Sequence, residues 1–354
     1  MVPDPEAQVE FLVKVQRILS EGAFVSTYKF ALLVSLADLA VERADEHTEV
    51  LSVDSLDIAE KFVDLYWRQV LPWISRDAGG QRRLYQAFGG EAAIVSLIAR
   101  AHERFQGSFT NLRRDRSEWL KLLREVGRII AVMPLWKLQT VGRQKLDFLY
   151  PNVGRGHRIQ LRGDAIYCFR KFYDLITELA QNAWVRFMRR LALNRPLLGE
   201  ALDLREFLFG CDRNNLQVVR NALWDLQAGR CFYCERRIQR EGAVDHFIPW
   251  SRFPLDLGHN YVLADASCNG NKGDRLAFHG HLGRWCDRNA QPDLDAVFAK
   301  RGVRHDLDLT RHVVVWAYSE AERAQANVWR EGRDGLVLLD RGWRLLLGPV
   351  RRTS

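Results

Sequence analysis

The sequence predicts a mainly α protein with an α+β unit embedded in its C-terminal half, and three observations lead there. Up to about residue 195 apolar residues recur near a 3.6-residue spacing, and strand signals are scarce. Between residues 214 and 275 the pattern changes to strand, loop, strand and helix. With 354 residues, 47% of them hydrophobic, the chain can bury a sizeable core in two domains or in one with attachments.

Val9, Leu12, Val13, Val15, Ile18 and Leu19 define the first helix. Ser26 is expected to cap a second through Phe30, Leu33, Leu36 and Leu39, and residues 55–70 form a third with Ile58, Phe62, Leu65 and Tyr66 inward. Two more are expected at about 117–132 and 164–193. Residues 151–162 interrupt them with Gly154, Gly156 and a short alternating piece, which reads as an exposed loop or hairpin. The Asn/Pro break at 194–198 is the expected domain boundary.

Residues 135–172 carry eight basic side chains, among them Arg155, Arg158 and Arg162, against two acidic ones, interleaved with Trp136, Phe148, Tyr150 and Tyr167. Such a surface tracks phosphates and stacks bases if the aromatics face outward; if they face inward, it is a core under a wet basic rim. The net charge of +8 favours polyanions such as DNA or RNA, although solvated surface alone accounts for an excess of this size. No apolar run is long enough for a membrane span, and residues 1–10 lack a basic start and an apolar core, so a cytosolic location is expected. The chain has no G-x-G-x-x-G and no Walker A pattern, which argues against dinucleotide binding and kinase chemistry.

The chemistry-bearing segment opens with a helix over 216–227, with Val219, Leu223 and Leu226 inward, closed by Gly229. Then come Cys231-Phe-Tyr-Cys234, a turn, Val244-Asp245-His246-Phe247-Ile248-Pro249, strand-like Tyr261-Val262-Leu263, and Cys268-Asn269-Gly270-Asn271-Lys272 opening a helix. Phosphodiester hydrolysis needs a base, hard oxygen ligands for a divalent ion and positive charge near the phosphate. His246 suits the base, because imidazole titrates near physiological pH. Asp245 and the Asn269 amide oxygen suit Mg²⁺ or Mn²⁺.

The ordered set Asp245-His246, thirteen residues, Asn260, eight residues, Asn269, then Lys272 and Asp274, resembles the HNH (ββα-metal) endonucleases. Its spacing is similar to that of the HNH domain of RNA-guided CRISPR nucleases. The Cys-x-x-Cys upstream and Cys-Asn-x-x-Lys downstream resemble the zinc-supported domains of restriction and homing enzymes. The resemblance spans about 70 residues, a fifth of the chain, and its several ordered positions make it more specific than a dipeptide motif. It implies that His246 activates water, that Asp245 and Asn269 hold the catalytic ion, and that Asn260 orients the loop bearing His246. It also implies a phosphate or transition-state contact for Lys272, and products with 5′-phosphate and 3′-hydroxyl ends. The final histidine of the family's name is Asn269 here.

Zinc-supported members carry two Cys-x-x-Cys knuckles. Here Cys231 and Cys234 form the first, whereas Asp265 stands where the second would begin, giving Asp265-Ala-Ser-Cys268. A structural Zn²⁺ on three thiolates and Asp265 is chemically possible, with His279, His281 or Cys286 as other fourth ligands; the alternative is a degenerate site whose thiols merely pack. Of the other cysteines, Cys168 and Cys211 stand alone. His259 reads as a structural loop residue, Arg252 as a candidate phosphate contact, and Trp316 and Trp329 as core. After Cys286 helix returns through 294–298 and 313–329, followed by strand-like pieces at 336–339 and 343–347.

The expected organisation is a helical recognition or partner domain over 1–195, an HNH nuclease domain over 196–290 and a C-terminal helical cap over 291–354. The expected function is metal-dependent nicking or cleavage of DNA in bacterial restriction or anti-phage defence, with partner proteins of such a system or a homodimer as possible assemblies. The alternatives are an HNH nuclease acting on RNA and a nucleic-acid-binding adaptor with a decayed centre.

Overall fold

A computed structural model describes residues 2–74, 81–198, 204–210 and 216–347; Cys211 lies outside them. The chain divides into two units, Met1–Gly210 and Cys211–Ser354. No described helix is long and apolar enough to cross a membrane.

The first unit is built on α1 (Pro5–Glu21), α2 (Tyr28–Arg43), β1 (Val50–Asp54), α3 (Ser55–Trp67), β2 (Trp73–Ile74), β3 (Gln81–Arg82), α4 (Ala93–Arg104), α5 (Phe109–Arg114) and α6 (Arg116–Val132). It continues through β4 (Thr140–Val141), β5 (Gln144–Lys145), β6 (Arg158–Arg162), α7 (Gly163–Lys171), α8 (Tyr173–Arg190), α9 (Arg195–Leu198) and α10 (Leu204–Phe209). Local chemistry sets several starts: Asp4 caps α1, Asp54 and Asp57 form a capping box on α3, and Asp115 caps α6. Helix α2 is buried almost all round, as a helix apolar on every face must be, and packs against α3, α7 and α8.

Ser26 does not cap α2: it forms a bridge with Ala87, and Thr27 stands at the cap with its hydroxyl on Tyr66. The long helix expected over 164–193 is interrupted at Phe172 (φ −109°, ψ 26°), and α4 carried no recognised signal. Residues 158–162 are a strand paired antiparallel with the distant β1, placing Ile159 and Leu161 inside and Arg158 and Arg162 in solvent. Trp136 and Tyr150 are buried, so the basic rim lies over an aromatic core and those two rings offer no stacking platform.

A buried charge network joins α2, α3 and α8. Lys61 pairs with Glu42 at 2.5 Å, and the Tyr173 hydroxyl donates to Asp38 at 2.6 Å. Burial pushes the Asp38 carboxyl up to about 7, against the pull of Lys61. The folded chain therefore retains a proton that the unfolded chain loses near pH 4, and stability falls as pH rises from about 4 to 7. Asp38→Asn, which keeps an acceptor for Tyr173, is expected to stabilise the protein by about 1–3 kcal/mol at pH 8. Thermal melts should show that gain vanishing near pH 4.

The second unit contains α11 (Leu216–Leu226), β7 (Ala243–His246), β8 (Tyr261–Ala264), α12 (Ala266–Lys272), α13 (His279–Asn289), α14 (Leu294–Lys300), α15 (Leu307–Arg323), β9 (Asn327–Glu331), β10 (Gly335–Leu338) and α16 (Trp343–Leu347). Strands β7 and β8 pair antiparallel, flanked by α11 and α12. The helix expected over 313–329 stops at Arg323, and Trp329 is buried in β9, where residues 276–278 hydrogen-bond along it. Residues 343–347, expected as strand, are helical.

Helix α13 clamps the turn that enters β8. Trp285 Nε1, Arg288 Nη2 and Asn289 Nδ2 all donate to the His259 carbonyl, at 2.8, 2.7 and 3.3 Å. Arg288 also donates to the Tyr261 carbonyl, and burial pulls its guanidinium down to about 10.

A candidate HNH centre beside a three-thiol cluster

The β7–β8 register places Asp245 opposite Val262 and His246 opposite Tyr261, the last residue of one strand facing the first of the next. Between them runs a loop that Asn260 closes. Its side chain accepts from Ile248 N at 2.8 Å and donates to the Ile248 carbonyl at 3.0 Å, while its own carbonyl accepts from Phe247 N at 2.7 Å. Asn260 is wholly buried, so its influence on chemistry passes through the backbone that carries His246.

The His246 ring contacts those of Trp250 and Tyr261, and its Nε2 lies 3.1 Å from Asp256 Oδ1. An Nε2–H donating to that carboxylate leaves Nδ1 as the ring nitrogen that can accept a proton. Sequence reasoning passed over Asp256, because it lies in an irregular loop where no period fixes which side chain returns to the histidine.

Asp245 accepts from the Tyr233 hydroxyl and from Lys272 Nζ, the latter 3.0 Å from Oδ2 and 3.3 Å from Oδ1. Lys272 Nζ also donates to the His246 carbonyl at 2.9 Å. Its side chain is fully buried, so the ammonium expected to meet a phosphate is instead the internal counter-ion of Asp245. Tyr233, the other residue missed in sequence, is buried, which drives its phenol well above its ordinary pKa and keeps it a donor.

Helix α12 packs against β7. Asn269 stands on the same helix, three residues before Lys272. One carboxylate and one amide oxygen form the hard donor set that suits Mg²⁺ or Mn²⁺, and these two residues would hold such an ion.

The sulfurs of Cys231, Cys234 and Cys268 lie within 4.8 Å of one another. Tetrahedral zinc thiolates stand about 3.8 Å apart, so the trio fits Zn²⁺ with small adjustment. A tight turn presents the first two: Cys231 N donates to the Arg236 carbonyl, Glu235 N to the Cys231 carbonyl, and Glu235 takes φ 61°. Burial opposes ionisation of Cys234, yet hydrogen bonds from Arg236 bring its thiol below the ordinary value.

Asp265 stands outside this cluster as the N-cap of α12, its Oδ1 accepting from Ser267 N at 2.9 Å and Ser267 Oγ at 2.7 Å. The other candidate fourth ligands also lie elsewhere. His279 pairs with Asp340, His281 bonds the Arg330 carbonyl, and burial raises the Cys286 thiol. Metal analysis of the purified chain is expected to give about one zinc. Stripping it should lower the melting temperature by about 5–10 °C, consistent with a site worth several kcal/mol.

The remaining candidates are dispersed. Arg252 is half-buried, its backbone N–H on the Pro249 carbonyl. Arg155, Arg158 and Arg162 are exposed in the first unit, Arg158 lying 3.7 Å from Asp54. His259 is buried with Nε2 on Asp295 at 3.1 Å, and burial pulls its pKa down to about 4, so it serves structure.

Two antiparallel strands, the asparagine-tied loop and the following helix, with aspartate, histidine and asparagine in order, make this an HNH endonuclease domain. A family model described as HNH endonuclease matches residues 231–278. A second, described as Domain of unknown function (DUF8808), matches residues 8–204, more than half the chain, and the chain belongs to that family. No curated protein and no solved structure matches it.

Proposed function

We propose that the chain is a divalent-metal-dependent endonuclease that hydrolyses phosphodiester bonds in DNA. The observation that carries this reading is His246, held through Nε2 by Asp256 and adjacent in sequence to Asp245 on a strand end fixed by Asn260. His246 Nδ1 takes the proton of the attacking water. Asp256 holds the ring and stabilises the imidazolium that results. When bound at Asp245 and Asn269, Mg²⁺ or Mn²⁺ supplies charge stabilisation for the phosphate and the leaving oxygen. One centre cuts one strand per engagement, so nicking precedes any double-strand break, and the family resemblance implies 5′-phosphate products.

The helical unit supplies substrate or partner recognition in this account, with Arg155, Arg158 and Arg162 as backbone contacts. Reversing their charge is expected to weaken DNA affinity and to reduce the salt slope by about one unit per lost contact. Unchanged affinity and slope would assign recognition elsewhere. The biological setting we infer, restriction or anti-phage defence, rests on analogy with other stand-alone HNH proteins that carry large helical extensions.

Competition between supercoiled plasmid and a structured RNA, with Mg²⁺ or Mn²⁺ present, tests the substrate. Nicked plasmid and intact RNA are the expected result. Selective loss of the RNA would make the chain a ribonuclease, and inertness toward both would favour the adaptor alternative.

A further inference from the structure

We propose that the arginine-rich turn around the three thiols, residues 230–240, is a phosphate clamp that grips the DNA backbone beside the cleavage centre; this rests on the nuclease reading above. Four arginines, Arg230, Arg236, Arg237 and Arg240, fall in this short segment, and all are exposed. Arg230 and Arg237 face each other across an antiparallel bridge, so like charges are held side by side.

Two of the four already have partners: Arg230 donates to the Glu235 carbonyl at 3.2 Å, and Arg236 bonds the Cys234 sulfur and faces the charge of Asp265. Glu235 is taken by Arg284 at 3.1 Å and Glu241 by Arg220 at 3.1 Å. Arg237 and Arg240 have no carboxylate partner among the described residues. A polyanion is the ligand that such an edge favours, and phosphates at backbone spacing satisfy several guanidinium groups together.

The turn is also stiff and joined to the catalytic groups. Ile238 N donates to the Gly229 carbonyl at 2.9 Å, and Phe232 N to the Leu263 carbonyl of β8 at 2.8 Å. The Tyr233 hydroxyl reaches Asp245, and Cys268 of the thiol cluster directly precedes Asn269. Guanidinium groups on a pre-formed turn lose less freedom on binding than those on a mobile loop. A metal on the thiols would tighten the same turn, which links the cluster to substrate grip as well as to folding.

The test is DNA affinity of the full chain in a His246→Ala background, which prevents cutting, measured by fluorescence anisotropy on a short random-sequence duplex across a KCl series. The variant adds Arg237→Glu and Arg240→Glu; Arg333→Glu, a reversal in the exposed turn between β9 and β10, is the control. Melting temperature and zinc content establish that the variants remain folded. The clamp predicts at least about tenfold weaker binding and a salt slope smaller by about 2, since each contact contributes about 0.9, with little change in the control. Affinity and slope equal to the parent's, or an equal loss in the control, would overturn the clamp. If wild type still cuts plasmid in that case, the clamp fails alone; if wild type neither binds nor cuts, the nuclease reading fails and the clamp with it.

Discussion

Lys272→Met is expected to destabilise the C-terminal unit by about 3–5 kcal/mol, the usual cost of leaving one member of a buried ion pair without its partner. The substitution keeps the length of the side chain, so the loss comes from charge and not from a cavity. Asp245, only 8% exposed, would retain the Tyr233 hydroxyl but lose its counter-ion, and the His246 carbonyl would lose its ammonium donor. Denaturant unfolding of the second unit measures the effect. Adding Asp245→Asn to the variant is expected to restore most of the stability, because it removes the uncompensated charge, while leaving the protein unable to cut. If Lys272→Met alone proves neutral, the pair is not the internal strut described above.

His246→Ala is expected to lower the cleavage rate by about 10²–10⁴-fold, the range that a positioned general base contributes. Its ring is nearly buried and touches Trp250 and Tyr261, so some packing is lost as well, but Asn260 bonds the backbone there. DNA affinity should therefore stay close to that of wild type. Asp256→Ala is expected to give a smaller loss, about tenfold, since the ring remains and only its support is removed. An Asp256→Ala loss as deep as that of His246→Ala would mean that Asp256 acts directly.

Much of the site was legible in the sequence because its residues lie within a short ordered segment. Asp245 and His246 end β7, Asn260 directly precedes β8, and Asn269 and Lys272 lie on one helix, so the ordered segment that carries the HNH resemblance picks out the set. What spacing could not specify was direction. Lys272 turns inward to Asp245, and Asp256 and Tyr233 return from irregular loops that have no period to read. The same limit governed the first unit. Helices α1, α3 and α6 announce themselves through one-sided apolar patterns and caps, whereas β6 depends on a partner more than a hundred residues away, and the stop at Phe172 has no Gly or Pro to mark it. The aromatic residues between 135 and 172 illustrate it most plainly, because composition placed them among arginines and the fold buried Trp136 and Tyr150 beneath them.

The central claim is that Asp245, His246 and Asn269 form a working metal-dependent nuclease, and plasmid cleavage tests it most directly. Wild type and His246→Ala would be incubated with supercoiled DNA in Mg²⁺ or Mn²⁺, each with an EDTA arm. The account predicts nicked plasmid with wild type, and none in EDTA or with the variant. Cleavage by the variant at a rate close to that of wild type would contradict the assignment of His246. Cleavage that persists in EDTA would contradict the metal-dependent centre itself.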